Sequence, residues 1–252
     1  MKMIILAAGQ GTRLMPLTIN KPKCMVEYRK KPIINYILEV AKKCRIDRIG
    51  VATGYKKDVL MDHLQGEELS FFTNPHYDKT NMVSTLFSAK SFMDDDLIIS
   101  YSDIVYKKEV LDSLIDADGD FNVVVDRNWK ELWSLRMENP LNDLETLKVE
   151  NGNIIELGKK PDSYDDIEGQ YIGLIKISKN IINQVKKYYE NLEKNTTINK
   201  NNFENMYMTS FIQMLIDDFC EVKPVYISGG WIEIDSCEDL RKMEDIDEKF
   251  II

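Results

Sequence analysis

A short, unbroken apolar run, Met3 to Ala7, meets a glycine-rich turn, Ala8-Gly9-Gln10-Gly11-Thr12-Arg13. The run shows no polar alternation and is too short to span a membrane, so it reads as a strand buried on both faces. Strands of that kind belong to parallel sheets covered by helices on either side, and the segments that follow fit. Pro32 opens a helical stretch in which Ile33, Ile34, Ile37, Leu38 and Ala41 recur at helical spacing. Ile46 to Thr53 reads as a strand ended by Gly54, Lys56 to Leu64 as a short helix, and Leu69 to Thr73 as a strand. Met82 to Phe92 has helical periodicity, and Leu97 to Ser100 reads as another buried strand. This alternation predicts a parallel, three-layered α/β sheet. Ligands of such sheets sit beyond the carboxyl ends of the strands, where strand order reverses. The loop from Ala8 to Leu14 and Asp103 both fall at such strand ends.

The second half is more mixed. Leu147 to Val149 and Ile154 to Leu157 flank Asn151-Gly152-Asn153, a hairpin turn signal. Tyr171 to Ile177, Val222 to Ile227 and Trp231 to Ile234 read as strands, and Ile181 to Leu192 and Phe203 to Phe219 as helices. Ser236 is placed to cap a final helix, with Asp239 in its first turn. The Asn- and Lys-rich stretch 195–202 reads as a surface loop, and Phe250-Ile251-Ile252 as a frayed tail. With no linker and no internal repeat, residues 1–252 are expected to form a single domain.

Charge narrows the partners. Lys and Arg total 33 against 42 Asp and Glu, a formal charge of −9 that would repel a nucleic-acid backbone. No nucleic-acid partner is expected. The four cysteines, Cys24, Cys44, Cys220 and Cys237, include no CxxC pair, and the two histidines, His63 and His76, lie away from them. A zinc site or a disulfide framework is therefore not expected. The sequence shows no apolar span and no signal-type h-region, which predicts a cytoplasmic protein with no membrane partner.

The glycines of the first loop let backbone N–H groups turn toward a ligand, and Arg13 and Lys23 add cationic donors, together a cradle for a polyphosphate. It is no Walker A loop, since no Gly-Lys-Ser/Thr follows. It is a poor dinucleotide fingerprint, since Leu14 stands where the third glycine belongs.

The longer string, Leu6-Ala7-Ala8-Gly9-x-Gly11-Thr12-Arg13-Leu14-x-Pro16-Leu17-Thr18 followed by Pro22-Lys23-x-Met25, resembles the signature of the sugar-phosphate nucleotidylyltransferases. The resemblance implies a Rossmann-like mixed, mostly parallel sheet with helices on both faces. Its nucleotide-binding part would cover about 1–110 and its acceptor-binding part about 111–252. It implies attack by an acceptor's phosphate on the α-phosphate of a nucleoside triphosphate, with pyrophosphate leaving. Gly9, Gly11, Thr12 and Arg13 would hold the triphosphate, and Lys23 would lie near the reacting centre. The cofactor implied is Mg²⁺, held by Asp103 and Asp235, with Glu233 as a further ligand or a support. Lys160 matches the lysine of a Glu-Lys-Pro motif that contacts the acceptor phosphate. Lys159 stands in place of its glutamate, so which lysine points inward stays open.

Within the family the chain is similar to the cytidylyltransferase branch, which implies CTP. Leu6 and Ala8 would read the base edge, with Gly54-Tyr55 and Asn81 to Ser84 closing the pocket. Blocks at Asn81-Met82-Val83, Gln170-Tyr171-Ile172-Gly173-Leu174 and 202–211 resemble the branch that serves capsule phosphoramidate biosynthesis. That resemblance implies CMP transfer to phosphoglutamine. Phosphocholine, 2-aminoethylphosphonate or a hexose 1-phosphate are the alternative acceptors. A non-catalytic nucleotide sensor is a remote alternative, expected to lack Lys23, Asp103 or Asp235. Trp129 and Trp133 would share a helix face. They could be core anchors or an aromatic wall for a quaternary ammonium. A glutamyl head group would instead use Arg127 or Arg136 for its carboxylate and Glu204 and Gln170 for its ammonium, with Tyr171 and Tyr207 nearby.

Overall fold

The computed structural model describes residues 1–194 and 200–245. The expected loop lies outside these residues as far as 199, its last positions, 200–202, are helical rather than loop, and the expected tail lies outside the described residues entirely. Among the described residues no helix is long and apolar enough to cross a membrane.

The chain begins with β1 (Lys2–Ala7), buried along its whole length. A two-residue ladder, β2 (Glu27–Tyr28) with β3 (Lys31–Pro32), leads into α1 (Ile33–Lys43), whose apolar face is the one read from the sequence. Then come β4 (Ile49–Thr53), α2 (Lys57–His63), β5 (Leu69–Thr73) and α3 (Met82–Ser88). Asn81 caps α3 through its side chain, which accepts the Met82 N–H. Next are β6 (Leu97–Tyr101), β7 (Ile104–Tyr106), α4 (Lys108–Ile115), β8 (Phe121–Asp126) and α5 (Trp129–Arg136). The hairpin β9 (Leu147–Glu150) and β10 (Asn153–Leu157) precedes β11 (Gln170–Ile177) and α6 (Ile182–Lys194). The chain continues with α7 (Lys200–Glu204), α8 (Met208–Asp218), β12 (Lys223–Ile227), β13 (Trp231–Glu233) and α9 (Cys237–Glu244), capped by Ser236.

The single helix expected over Phe203–Phe219 is thus two helices. The break has a tertiary cause: the Glu204 carbonyl, at the end of α7, accepts from Asn81 N at 2.9 Å and from Ser84 Oγ at 3.3 Å. A carbonyl turned toward another element is lost to the helix ladder.

Seven strands form one sheet in the order β12-β8-β11-β6-β1-β4-β5. Only β11 runs against its neighbours; the β4, β5, β6 and β12 pairings are parallel. From β1 the chain steps outward to β4 and β5, then returns to β6 on the other side of β1. The order reverses there, which opens a crevice at the carboxyl ends of β1 and β6. Successive β1 residues feed opposite cores: Met3, Ile5 and Ala7 pack with α1, and Ile4 and Leu6 pack with α3 and α8. The fold is therefore α/β, a mixed and mostly parallel sheet buried on both faces.

Beside the crevice β11 carries a register irregularity between Tyr171 and Ile175. Gly173 lies inside it at φ 86°, and a Cβ added there would stand 2.6 Å from the Tyr101 ring. Only glycine takes that backbone conformation cheaply and lets Tyr101 come so close. Gly173→Ala should therefore cost about 3 kcal/mol, from the positive φ and the ring overlap together. Urea denaturation reads this directly; an unchanged midpoint would contradict the close packing described.

Candidate active site

β1 leaves the sheet through the loop Ala8 to Arg13, and the loop is braced from below. The Lys23 N–H donates to Gly9 O at 3.2 Å, and Thr18 Oγ1 donates to Gly11 O at 2.8 Å. Gly11 has φ 67°, and a Cβ there would come within 3.0 Å of Lys23 Cβ. A side chain at this position would push Lys23 away from the loop.

The carboxylates arrive from the other side. Asp103 follows β6 and Asp235 follows β13. β7 and β13 pair antiparallel, and the Ile234 N–H donates to Asp103 O at 2.8 Å. That short ladder places the two aspartates side by side. Lys23 Nζ lies between them, 2.6 Å from Asp103 Oδ2 and 2.5 Å from Asp235 Oδ1. The Arg13 guanidinium contacts the second Asp235 oxygen. Burial opposes the Lys23 charge, but Asp103, Asp235 and Glu233 outweigh it and raise its pKa.

This charge cluster floors a cavity of about 270 Å³ lined by Leu6, Ala8, Gly9, Gly11, Thr12, Arg13, Asn81, Thr85 and Tyr101 among others. A second cavity of about 270 Å³ meets it at Arg13, Met82, Tyr101 and Asp235. The second one is aromatic and acidic. Trp133 and Trp231 stand 6.0 Å apart, and Tyr101 meets Tyr171 edge-on at 5.8 Å. Asp143, Glu145 and Glu233 supply carboxylates, and Gln170, Tyr207 and Thr209 complete the wall. Thr209 Oγ1 donates to Glu145 Oε1 at 3.3 Å, and Gln170 Nε2 donates to the Glu145 carbonyl at 2.7 Å. Burial raises the Glu145 pKa. Burial also pushes the Glu233 pKa up to about 7, against the pull of Arg136 and with Asp103 and Asp235 adding to the rise.

Several sequence-predicted residues lie elsewhere. Arg136 lines neither cavity: its side chain is 1% exposed and is engaged by Glu233 and Asp239. Arg127 stacks on Tyr226, 3.5 Å from the ring centroid. Among the described residues no arginine other than Arg13 lines the second cavity, so neither Arg127 nor Arg136 is placed there as the expected carboxylate partner. Trp133 faces that cavity, whereas Trp129, four residues earlier, packs against Tyr164. Neither candidate lysine lines either of these two cavities: Lys160 Nζ donates to the Leu141 and Asn142 carbonyls at 2.9 Å, and Lys159 Nζ pairs with Glu156. Ser84 and Glu204 join α3 to α7, and Gly54 packs behind Ala8 and Tyr77. Chief among the residues missed were Tyr101, Asp143, Glu145, Thr209 and Trp231. Of these, Tyr101 carried a signal as the end of a buried strand beside Asp103, and Thr209 lay within the 202–211 block.

The donor set fits a hard divalent cation. Asp103 Oδ1 is buried and has no hydrogen-bond partner, a costly state that a cation would relieve. Among the described residues no cluster of three His, Cys, Asp or Glu is built to hold a metal. Two carboxylates that leave room for water and phosphate oxygens suit Mg²⁺. Glu233 does not join them, because its Oε2 lies 2.5 Å from Arg136 Nη1.

Fold and site define a phosphate-handling α/β protein, and comparison with known proteins gives its class. The chain belongs to the nucleotidyl transferase family, which matches residues 2–248. It is 52% identical over 247 residues to CTP:phosphoglutamine cytidylyltransferase of Campylobacter jejuni, across 95% of this chain and 98% of that protein. Among solved structures, the inositol-1-phosphate CTP transferase of T. maritima matches with a TM-score of 0.73 at 18% identity, over 97% of this chain and 96% of that one. CTP:phosphocholine cytidylyltransferase of Streptococcus pneumoniae matches with a TM-score of 0.72 at 20% identity, over 97% of each chain. Those two likenesses are likenesses of fold.

Lys23→Met would leave the two carboxylates facing each other without their shared cation. A loss of about 3 kcal/mol is expected, the scale of breaking a buried ion pair. Mg²⁺ should restore much of it by occupying the same carboxylates. Thermal melts with and without Mg²⁺ decide: equal Mg²⁺ stabilisation of variant and parent would contradict the assignment.

Proposed function

We propose that the protein transfers CMP from CTP to the phosphate of phosphoglutamine, forming CDP-glutamine and releasing pyrophosphate. The observation that carries this reading is the identity over nearly the full length of both chains with a cytidylyltransferase of that acceptor. Two cavities meeting at Arg13 and Asp235 suit such a transfer, with CTP in the first and the acceptor in the second.

In the reaction an oxygen of the acceptor phosphate bonds to the α-phosphorus of CTP, and the bond to the β-phosphate oxygen breaks. The phosphate is already ionised, so no strong base is needed. The protein's work is to bring two anions together and to neutralise charge growing on the α-phosphate and on pyrophosphate. The loop Ala8 to Arg13 binds the triphosphate through backbone N–H groups. Arg13 lies at the junction of the cavities and Lys23 on the floor of the first, clasping Asp235 of that junction, where that charge develops. Mg²⁺, when bound by Asp103 and Asp235, would shield the phosphate oxygens as a Lewis acid.

The acidic, aromatic second cavity fits the ammonium of a glutamyl head group, with Glu145 and Asp143 as its counter-charges. The expected arginine contact to the carboxylate plays no part in this reading. Lys23, Asp103 and Asp235 are all present and assembled, which favours catalysis over nucleotide sensing. We place the enzyme in the cytoplasm, where its four free cysteines stay reduced. Its product would serve capsule phosphoramidate biosynthesis, as the resemblance implies.

A second acceptor is favoured by one observation: the walls formed by Trp133, Trp231 and Tyr171 are what a quaternary ammonium binds. Product formation with CTP and equal concentrations of phosphoglutamine, phosphocholine and 2-aminoethylphosphonate separates the readings. Phosphoglutamine should lead by at least ~10-fold in catalytic efficiency, because a wrong head group leaves buried polar groups unpaired. A preference for phosphocholine would replace the acceptor and keep the class. Activity only with UTP or dTTP and a hexose 1-phosphate would overturn both.

A further inference from the structure

Arg136 is the most deeply buried cation beside the site, and the reaction as derived gives it no task. Its guanidinium bridges two carboxylates. Nη1 donates to Glu233 Oε2 at 2.5 Å, and Nε donates to Asp239 Oδ1 at 3.0 Å. Each partner leads to a different cavity. Glu233 lines the second. Asp239 leads to the first: its Oδ2 accepts from the Asp235 N–H at 3.2 Å and from the Ser236 N–H at 2.9 Å. Asp239 thus closes the capping box of α9 and holds the backbone of the very residue whose carboxylate meets Lys23. The attachment of Arg136 is itself braced, since Lys242 Nζ on α9 donates to the Arg136 carbonyl at 2.9 Å.

Taking two carboxylates and a guanidinium out of water is costly, and an apolar contact between α5 and α9 would hold the helices at least as well. What the guanidinium adds is direction. Its planar fork addresses two partners at fixed angles, which an ammonium cannot do. From this we infer that Arg136 is a positioning residue that sets the segment 233–239 in register with both cavities, aiming Asp235 at Lys23 where the cavities meet and Glu233 into the second. The inference rests on the reading of the cavities as nucleotide and acceptor sites. It makes the two half-sites depend on one side chain that touches neither substrate.

The test uses the full chain with Arg136→Met, Arg136→Lys, Asp239→Asn and Glu233→Gln. Calorimetric titration with CTP in Mg²⁺, without acceptor, reads the first cavity, and the KM for phosphoglutamine reads the second. Arg136→Met should weaken both at least ~10-fold, the usual scale for losing a group that orients metal ligands. Arg136→Lys should recover one of the two readouts and not the other, because an ammonium cannot keep both partners at their angles. If Arg136→Met does not fold, Arg136→Lys carries the test. Asp239→Asn should act mainly on nucleotide binding, and Glu233→Gln mainly on the acceptor KM.

Hydrogen exchange at the Asp235 and Ser236 amides, compared with β1, reads the positioning without any ligand. It should accelerate locally in both arginine variants. If the parent chain binds no CTP in Mg²⁺, the proposed function fails while the exchange rates still decide the role of Arg136. Arginine variants that melt earlier, yet keep parental CTP binding, acceptor KM and Asp235 exchange relative to β1, would reduce Arg136 to a structural strut and overturn the inference.

Discussion

Two aspartates at the edge of a buried sheet cannot stay charged without a cation between them. Lys23 supplies it, 2.6 Å from Asp103 and 2.5 Å from Asp235. The rest of the site is arranged around that contact. Gly11 leaves room for the lysine stem beneath the loop, and the β7–β13 ladder brings the aspartates together. The strand-order reversal at β1 opens the crevice in which all three meet. One Asp103 oxygen stays buried without a partner, so a single ammonium does not satisfy the pair. That unmet demand is the physical argument for a second cation when phosphates arrive.

The parts of the fold that the sequence made legible are those where one physical effect dominates. β1, β4 and β6 are apolar runs because both faces of the sheet are covered. α1 carries a clean apolar stripe because one face is wet. β8 escaped notice because two of its buried positions are polar. Asn122 and Asp126 bound the short run Val123 to Val125; Asp126 is satisfied by groups from distant loops, whereas Asn122 uses only its amide nitrogen, on the preceding turn, and its Oδ1 is buried without a partner. Asn122 Nδ2 donates to Asp118 O at 2.9 Å, and Asp126 accepts from the Asn128 and Gly229 N–H groups and from Trp231 Nε1. The break between α7 and α8 was equally hidden, since its cause lies on α3.

The site divides in the same way. The loop from Ala8 to Arg13, with Lys23, was legible as one string of glycines and cations, and that string lines the first cavity. The acceptor side was not. Arg136 looked like an available cation on a helix, and only the packing of α5 against α9 shows it turned inward. Glu145 sits in a segment with no periodicity and Thr209 on a helix far along the chain, and their contact, with Gln170 on β11 holding the Glu145 carbonyl at 2.7 Å, is a tertiary one that neither segment announces. An acceptor pocket is assembled from distant turns, whereas a phosphate loop is written in one stretch.

The central claim is that the crevice at β1 and β6 binds a nucleoside triphosphate on the Ala8–Arg13 loop, with Asp103 and Asp235 as the cation's ligands. A crystal structure with Mg²⁺ and a CTP analogue carrying a methylene bridge between its α- and β-phosphates tests it most directly. The account expects the triphosphate on the loop N–H groups, a cation within about 2.1 Å of an oxygen from each aspartate, and Lys23 turned from the carboxylates toward the α-phosphate. A triphosphate bound elsewhere, or bound there with Lys23 still clasping both aspartates and no cation beside them, would contradict it.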